Sequence, residues 1–304
     1  PRHGPRSPRA VLPALILAFL VAHAPVEGQE RIEWRALAPS DGTLKIWGGA
    51  GHVTVRGWDR DSLAVTGVRE PGPGRFFHRV DGAAAKLGFE APDSIAAFVR
   101  ADLEVRVPRA TSLWIRVAGA EVEIRGVTGA VDIHTVTGPV SIGDSPSMVD
   151  VESVAGRVSL DLVRSEVVRA SAGAGGVEFH GLVDDLTLSA VEGSIVVEGP
   201  TKPRRVALES IDGPIRYAGG VAPGGVVSVD THRGNVDLRL DADVSATLDV
   251  ATVEGRIETE FDLRLTRGLS FPGTRKTAEL GTGAGEIVVR SYGGNVSVRR
   301  RAGS

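Results

Sequence analysis

The chain has no cysteine among its 304 residues. That excludes a disulfide framework, a thiol nucleophile, a Cys-ligated metal and a lipid-modified cysteine at a signal cleavage site. Aromatic residues make up only 5% and methionine occurs once, so thin layers of aliphatic side chains are expected rather than a broad centre of bulky ones. Neither sign of charge dominates: 35 basic against 38 acidic residues give a formal net charge of −3, which is not the basic footprint of a nucleic-acid binder. Beyond the N-terminal region no apolar run reaches the ~20 residues that span a bilayer. There is no phosphate loop, dinucleotide fingerprint or Ser-His-Asp order, and the glycine-rich turns are not followed by helices.

Residues 1–28 read as an export signal. Arg2, Arg6 and Arg9 precede an apolar run from Val11 to Ala24, and small residues follow, the layout of a secretory leader. Ala22-His23-Ala24 has the small-x-small form, but Pro25 beside it is a poor cleavage neighbour, so the expected cut follows Gly28 and the mature domain is 29–304. The competing reading is a membrane anchor, for which the run is short. The expected location is extracytoplasmic: periplasm, cell surface or secreted.

What is abundant is glycine, 39 residues, placed in a recurring pattern: apolar-x-apolar-x-Thr/Ser/Ala-apolar-x-Gly-x-apolar-x-apolar. Clear copies run Val131 to Ile142 around Gly138, Val149 to Leu160 around Gly156, and Leu248 to Ile257 around Gly255. Others centre on Gly175, Gly193, Gly213, Gly234 and Gly285, with a displaced copy at Ala120 and an early outlier at Gly51. A period near twenty residues marks a stacked repeat array. Alternation of period two on both sides of each glycine predicts strand, corner, strand, the glycine being read as tolerating backbone angles that a Cβ would oppose.

Across each corner the step between matching apolar residues is nine, as in Val131 to Val140, Val206 to Ile215 and Ala278 to Ile287, whereas the return step varies. Two architectures compete. A meander or sandwich would pair sequence neighbours antiparallel, while a solenoid would pair each strand in parallel with its counterpart one repeat later, ~4.8 Å along the axis. The small residue three before each glycine (Thr135, Ser153, Ala172, Ala190, Ser210, Thr231, Thr252, Thr282) favours the second, because equivalent positions would stack inside the corner, where a hydroxyl can satisfy backbone groups. The predicted fold is therefore all-β, a single-stranded parallel β-solenoid (β-helix) of roughly nine coils. Residues 68–100 and 261–276 break the register as excursions, the first as a loop or end cap. The cluster Arg299-Arg300-Arg301 is expected to deter growth at the other end.

The run Val53-Thr54-Val55-Arg56-Gly57-Trp58-Asp59-Arg60-Asp61-Ser62-Leu63, then Leu103 to Pro108, then the serial Thr-Val-x-Gly-x-Val-x-Ile units, resembles the bacterial domain-of-unknown-function family of β-strand-repeat "putative adhesins". It is similar, more loosely, to autotransporter adhesin head domains. The resemblance spans roughly residues 40 to 300 and rests on the Gly57-Trp58-Asp59 turn together with the repeat. It implies an exported, right-handed β-solenoid associated with the envelope or surface, and it carries over no catalytic residue.

Candidate chemistry is sparse. Parallel β-helices can host polysaccharide-cleaving enzymes that use carboxylates on neighbouring coils. Here Glu209 and Asp230 fall on adjacent repeats, as do Glu192 and Asp212, followed by Arg233 and Glu254; a solvated face of mixed charge is the simpler reading. His134, His180 and His232 occupy different columns, against a metal site. Gly173-Ala174-Gly175-Gly176 lacks the aspartate of a calcium-binding nonapeptide. Trp47, Trp58 and Trp114 could stack on sugar rings or cap the core. Catalytic, cofactor and metal residues are accordingly assigned as none. The expected function is a non-enzymatic adhesin or envelope binding and structural protein, whose partner is an envelope glycan, a surface protein or a second copy. The alternative is a carbohydrate-active β-helix enzyme on acidic polysaccharide, with Glu209 and Asp230 as its site.

Overall fold

The computed structural model describes residues 28–72, 74–90, 99–199, 202–265 and 272–301. The expected export signal therefore lies, but for Gly28, outside the described residues. Among the described residues, 25 strands join in one sheet and no helix forms. Counterpart strands in successive repeats pair in parallel, as expected. Val131–Thr135 lies in register with Met148–Ser153, Val131 opposite Val149, and Val140–Asp144 with Val158–Ala172, Val140 opposite Val158. Every second residue turns inward, so Leu44, Ile46, Val53, Val55, Ile133, Val151, Leu160, Phe179, Leu208, Val229 and Leu238 are buried in one continuous aliphatic core.

The expected open solenoid, or parallel β-helix, of roughly nine coils is corrected. The sheet is nearly closed and barrel-shaped, curving through 318° round an axis, and it is mixed rather than purely parallel. Ser62–Arg69 lies antiparallel between Glu30–Leu37 and Arg100–Pro108, Phe76–Asp81 antiparallel on Ala84–Phe89, and Thr274–Leu280 antiparallel on Ala246–Thr252. A sheet with one apolar face must cover that face, and curling almost shut buries it against itself. The strand pattern specifies which face is apolar, not how far successive strands rotate round the axis.

Both ends are interleaved. Thr43–Gly48 sits between Ala84–Phe89 and Ser112–Val117, so the outermost parallel layer at that end comes from later residues. Gly285–Ser291 sits between Val226–Thr231 and Ala246–Thr252. The last strand, Val296–Arg300, is likewise interior, between Val236–Leu240 and Ile257–Thr259, so Arg299, Arg300 and Arg301 do not guard an end. Arg301 instead reaches back to the Gly199 carbonyl at 2.7 Å. The ends are closed by the antiparallel strands and by apolar plugs: Trp34, Phe76 and Phe89 at one, with Trp34 stacked on His78 at 4.7 Å, and Phe261, Leu263 and Leu280 at the other.

The corner glycines have a different cause from the one expected. Gly138, Gly156, Gly175, Gly193, Gly213 and Gly234 do not adopt left-handed backbone angles. They stack, and a Cβ on each would fall well under 3.0 Å from the carbonyl oxygen of the corner residue in the layer before. The column continues through Gly294, which stacks on Gly234, to Gly255, which stacks on Gly294. Gly285 is therefore not the corner of its repeat; Ile287 and Val296, opposite Val227 and Val236, form the nine-residue step there, and Ser291 takes the place expected of Thr282. The small ladder does bond across the corner: Ser153 Oγ donates to the Gly156 carbonyl at 2.9 Å, Ser210 to Gly213 at 2.8 Å and Ser291 to Gly294 at 3.0 Å.

Candidate binding groove

Along the middle of the sheet the corners present three consecutive residues: an outward polar one on the strand face, the buried small one, and one at the bend. Glu209, Ser210 and Ile211 make one such set; Asp230, Thr231 and His232 the next; Arg290, Ser291 and Tyr292 the third. Stacking these sets makes a longitudinal groove. Its stretch from Ser171 to Tyr292 encloses about 730 Å³, and a second stretch continues it along Arg116, His134, Val136, Glu152 and Val154. The bend wall is a solvent-facing ridge: Val154 is 63% exposed, and Val136, Val191, Ile211 and Tyr292 are exposed by nearly half. Single exposed aliphatics are ordinary, but an aligned row is the mark of a surface that meets something. The row is visible in the sequence as the apolar residue two before most corner glycines, Gly175 and Gly234 excepted, a place where strand alternation has already turned the side chain outward.

Glu209 and Asp230 do lie opposite each other, with Arg290 next beyond Asp230, and the Ser228 hydroxyl donates to Asp230 at 2.9 Å. Both carboxylates stand in one row on one wall, so they reach a groove occupant from the same side. Glycoside cleavage requires the pair to flank the scissile bond. The expected run Glu192, Asp212, Arg233, Glu254 is broken. Arg233 grips Asp212 with both guanidinium nitrogens at 2.5 and 2.6 Å, and this bond holds the Asp212 carboxyl below the usual carboxylate range. Glu254 falls beside Tyr292, whose carbonyl its amide meets at 2.9 Å, because the Gly294 repeat intervenes.

The histidines remain apart. His134 sits between Asp132 and Glu152, at 3.6 and 3.1 Å; His180 lies in register between Asp161 and Glu198 on another face; His232 stacks on Tyr292 at 5.0 Å. Among the described residues no group of three or more His, Cys, Asp or Glu side chains is placed to hold a metal. Trp47 and Trp114 come together at 5.1 Å, but the Arg116 guanidinium lies 3.9 Å over the Trp114 ring and occupies a face that a sugar would need. Trp58 is separate, its indole donating to the Ser62 carbonyl at 2.8 Å. The core cap is Trp34, which sequence reasoning passed over because it precedes the first repeat.

Asp150 is strained electrostatically. Burial, then the neighbouring Asp132 and Glu152 carboxylates, raise its pKa above the ordinary value. Its protonated form is therefore favoured by folding: that stability is fully present below the unfolded pKa and is lost as pH rises through the higher folded one. Asp150→Asn is expected to stabilise the fold at pH 7 by on the order of half a kcal/mol given its exposure, seen as a small rise in melting temperature, and to be neutral at pH 3. A gain equal at both pH values would assign the effect to packing instead.

No protein-family model matches the chain, and no curated protein matches it. Solved bacterial structures are similar to it at low identity. A "putative lipid binding protein" from Parabacteroides distasonis is 12% identical over 91% of this chain and 98% of its own, with a TM-score of 0.48. A "putative adhesin" from the same species is 11% identical over 89% and 97%, TM-score 0.46. A "putative adhesin" from Parabacteroides merdae is 10% identical over 90% and 97%, TM-score 0.43. These are likenesses at a distance, and no residue, ligand or activity is carried across from them.

Proposed function

We propose that the chain is an adhesive protein of the cell envelope that acts by binding along its corner groove and performs no turnover. The observation that carries this reading is the solvent-facing row Val136, Val154, Val191, Ile211 and Tyr292, an aliphatic or aromatic residue in most layers, interrupted by Gly173 and His232, beside a groove floored by small side chains. A surface with a fixed repeat suits an extended partner, an envelope glycan or the extended segment of a surface protein, because successive layers place their contacts at the same spacing. Placing both groove carboxylates on one wall supports binding over cleavage. The location proposed is extracytoplasmic, in keeping with the reading of residues 1–28 as an export signal.

The test is co-sedimentation of the chain from Gln29 onward with separated envelope fractions and insoluble polysaccharides, with the supernatant assayed for released sugar ends. Saturable retention without release is expected. Ile211→Glu with Val154→Glu, both on exposed positions, should weaken retention at least tenfold while leaving the melting temperature within a few degrees, as surface substitutions do. Released sugar ends that vanish in Glu209→Gln would establish the enzyme instead, and retention unaffected by the ridge substitutions would move the binding face elsewhere.

A further inference from the structure

Far from the corner groove, one row of the sheet carries arginine on four of five successive strands. Arg35 lies opposite Ala64, Ala64 opposite Arg106, Arg106 opposite Arg56, and Arg56 opposite Arg125. Like charges in register across strands repel, and elsewhere on this sheet neighbouring rows answer arginine with acid, as in Arg116 with Asp132 and Arg157 with Glu178. Here the acids are spread unevenly. Arg35 is near Glu33 at 3.7 Å, Arg106 is held by Glu104 at 2.9 Å and Arg125 by Glu123 at 3.4 Å. Arg56, in the middle, has Thr54 where its neighbours have glutamate, and among the described residues neither it nor Arg60 has a carboxylate partner.

The row is also recessed. Ala64 points outward by strand alternation yet is only 8% exposed, because the side chains on either side rise above it. It floors a cleft of about 600 Å³ walled by Arg35 and Arg106 and ended by Trp58 and Arg60. Arg60 lies 5.1 Å over the Trp58 ring and Arg106 6.0 Å from it, so the indole, pinned by its bond to the Ser62 carbonyl, holds two guanidinium groups in place before anything binds. Guanidinium forks take carboxylate, sulfate and phosphate oxygens two at a time.

We propose that this cleft binds the anionic groups of an extended acidic glycan, with Arg60 at its end and Arg56, outside the lining on the strand beyond Arg106, as the charges without a carboxylate partner among the described residues. A narrow recess with an aromatic end wall admits a single chain; the flat surface of a lipid bilayer cannot reach its floor. The proposal does not rest on the corner groove, and its test separates the two.

The test is native gel electrophoresis of the chain through gels holding polygalacturonate, dextran sulfate or neutral dextran, with flotation on phosphatidylglycerol vesicles and a DNA duplex as competing polyanions. Retardation by the two acidic polymers and none by dextran is expected, weakening as salt rises. Arg56→Gln with Arg60→Gln should weaken it at least tenfold. Arg164→Gln, an exposed arginine on another face paired to Asp184, should leave it unchanged, as should Ile211→Glu. Equal losses from Arg164→Gln would mean diffuse charge attraction and overturn the site. Vesicle or duplex binding that matches the polymers and depends on the same two arginines would overturn the glycan assignment.

Discussion

Gly213→Ala is expected to be strongly destabilising. The new Cβ would fall on the Gly193 carbonyl, which is backbone and has nowhere to yield. The layers at that corner are tied by the Ile211 amide to the Ala190 carbonyl at 3.2 Å and the Asp212 amide to Val191 at 2.8 Å, so forcing them apart weakens both bonds and opens the aliphatic core between them. A loss of about 4 kcal/mol or more is expected, in the range reserved for core disruption, with a fall in thermal midpoint of about 10 °C. Gly224→Ala provides the contrast. Gly224 has φ +74° with nothing within 4 Å of a Cβ, so alanine there suffers only left-handed strain, about 1 kcal/mol. Thermal unfolding followed by far-ultraviolet circular dichroism separates the two; a loss no larger than that of Gly224→Ala would mean that the layers shift to admit the Cβ and that the close stacking of the corner glycines is not what holds them.

That contrast also shows what the sequence made legible. The nine-residue step and parallel pairing of counterpart strands were readable because Val131, Val149 and Val168, or Val140, Val158 and Val177, repeat at positions that only stacking brings together. The hydroxyl ladder followed from the same spacing. The reason for the glycines was not readable, because a glycine required by a carbonyl in the next layer and one required by its own φ look alike in a sequence. Gly285 and Gly294 both fit the corner pattern, and only the pairing of Val296 with Val236 selects Gly294. The interleaved ends were hidden for a related reason: repeats that resemble each other do not record which one lies beside which, and adjacency in sequence was the available guide. The near closure of the sheet sums small rotations between many strands, a quantity the apolar pattern does not carry. Of the candidate site, the Glu209 and Asp230 adjacency was legible, while the ridge beside it was written into the repeat, where an apolar letter does not say whether its side chain is exposed.

Arg275→Leu is expected to change the state of assembly rather than the fold. Thr274–Leu280 covers the edge of Ala246–Thr252 as an antiparallel strand, and Arg275 fastens it by two bonds to Asp249, 2.8 and 2.6 Å long. The Asp249 side chain is only 13% exposed, and without Arg275 it would keep just Arg290, at 4.0 Å. A carboxylate left nearly buried and poorly paired costs about 3 kcal/mol, enough to favour undocking the covering strand. What that uncovers is a seven-residue edge, Ala246–Thr252, with free backbone donors and acceptors, a template for a strand from another copy. Faster amide exchange over Thr274–Leu280 is expected, together with concentration-dependent growth by light scattering, while Arg275→Lys, which keeps the charge but loses the fork, falls between. A variant whose light scattering and amide exchange match those of the parent would mean that the plug of Phe261, Leu263 and Leu280 holds the end without the ion pair. The requirement for such a fastening follows from the groove itself: a surface that repeats along the side of the sheet gains contacts with every layer, and the same stacking would continue into a second copy unless the terminal layer were closed.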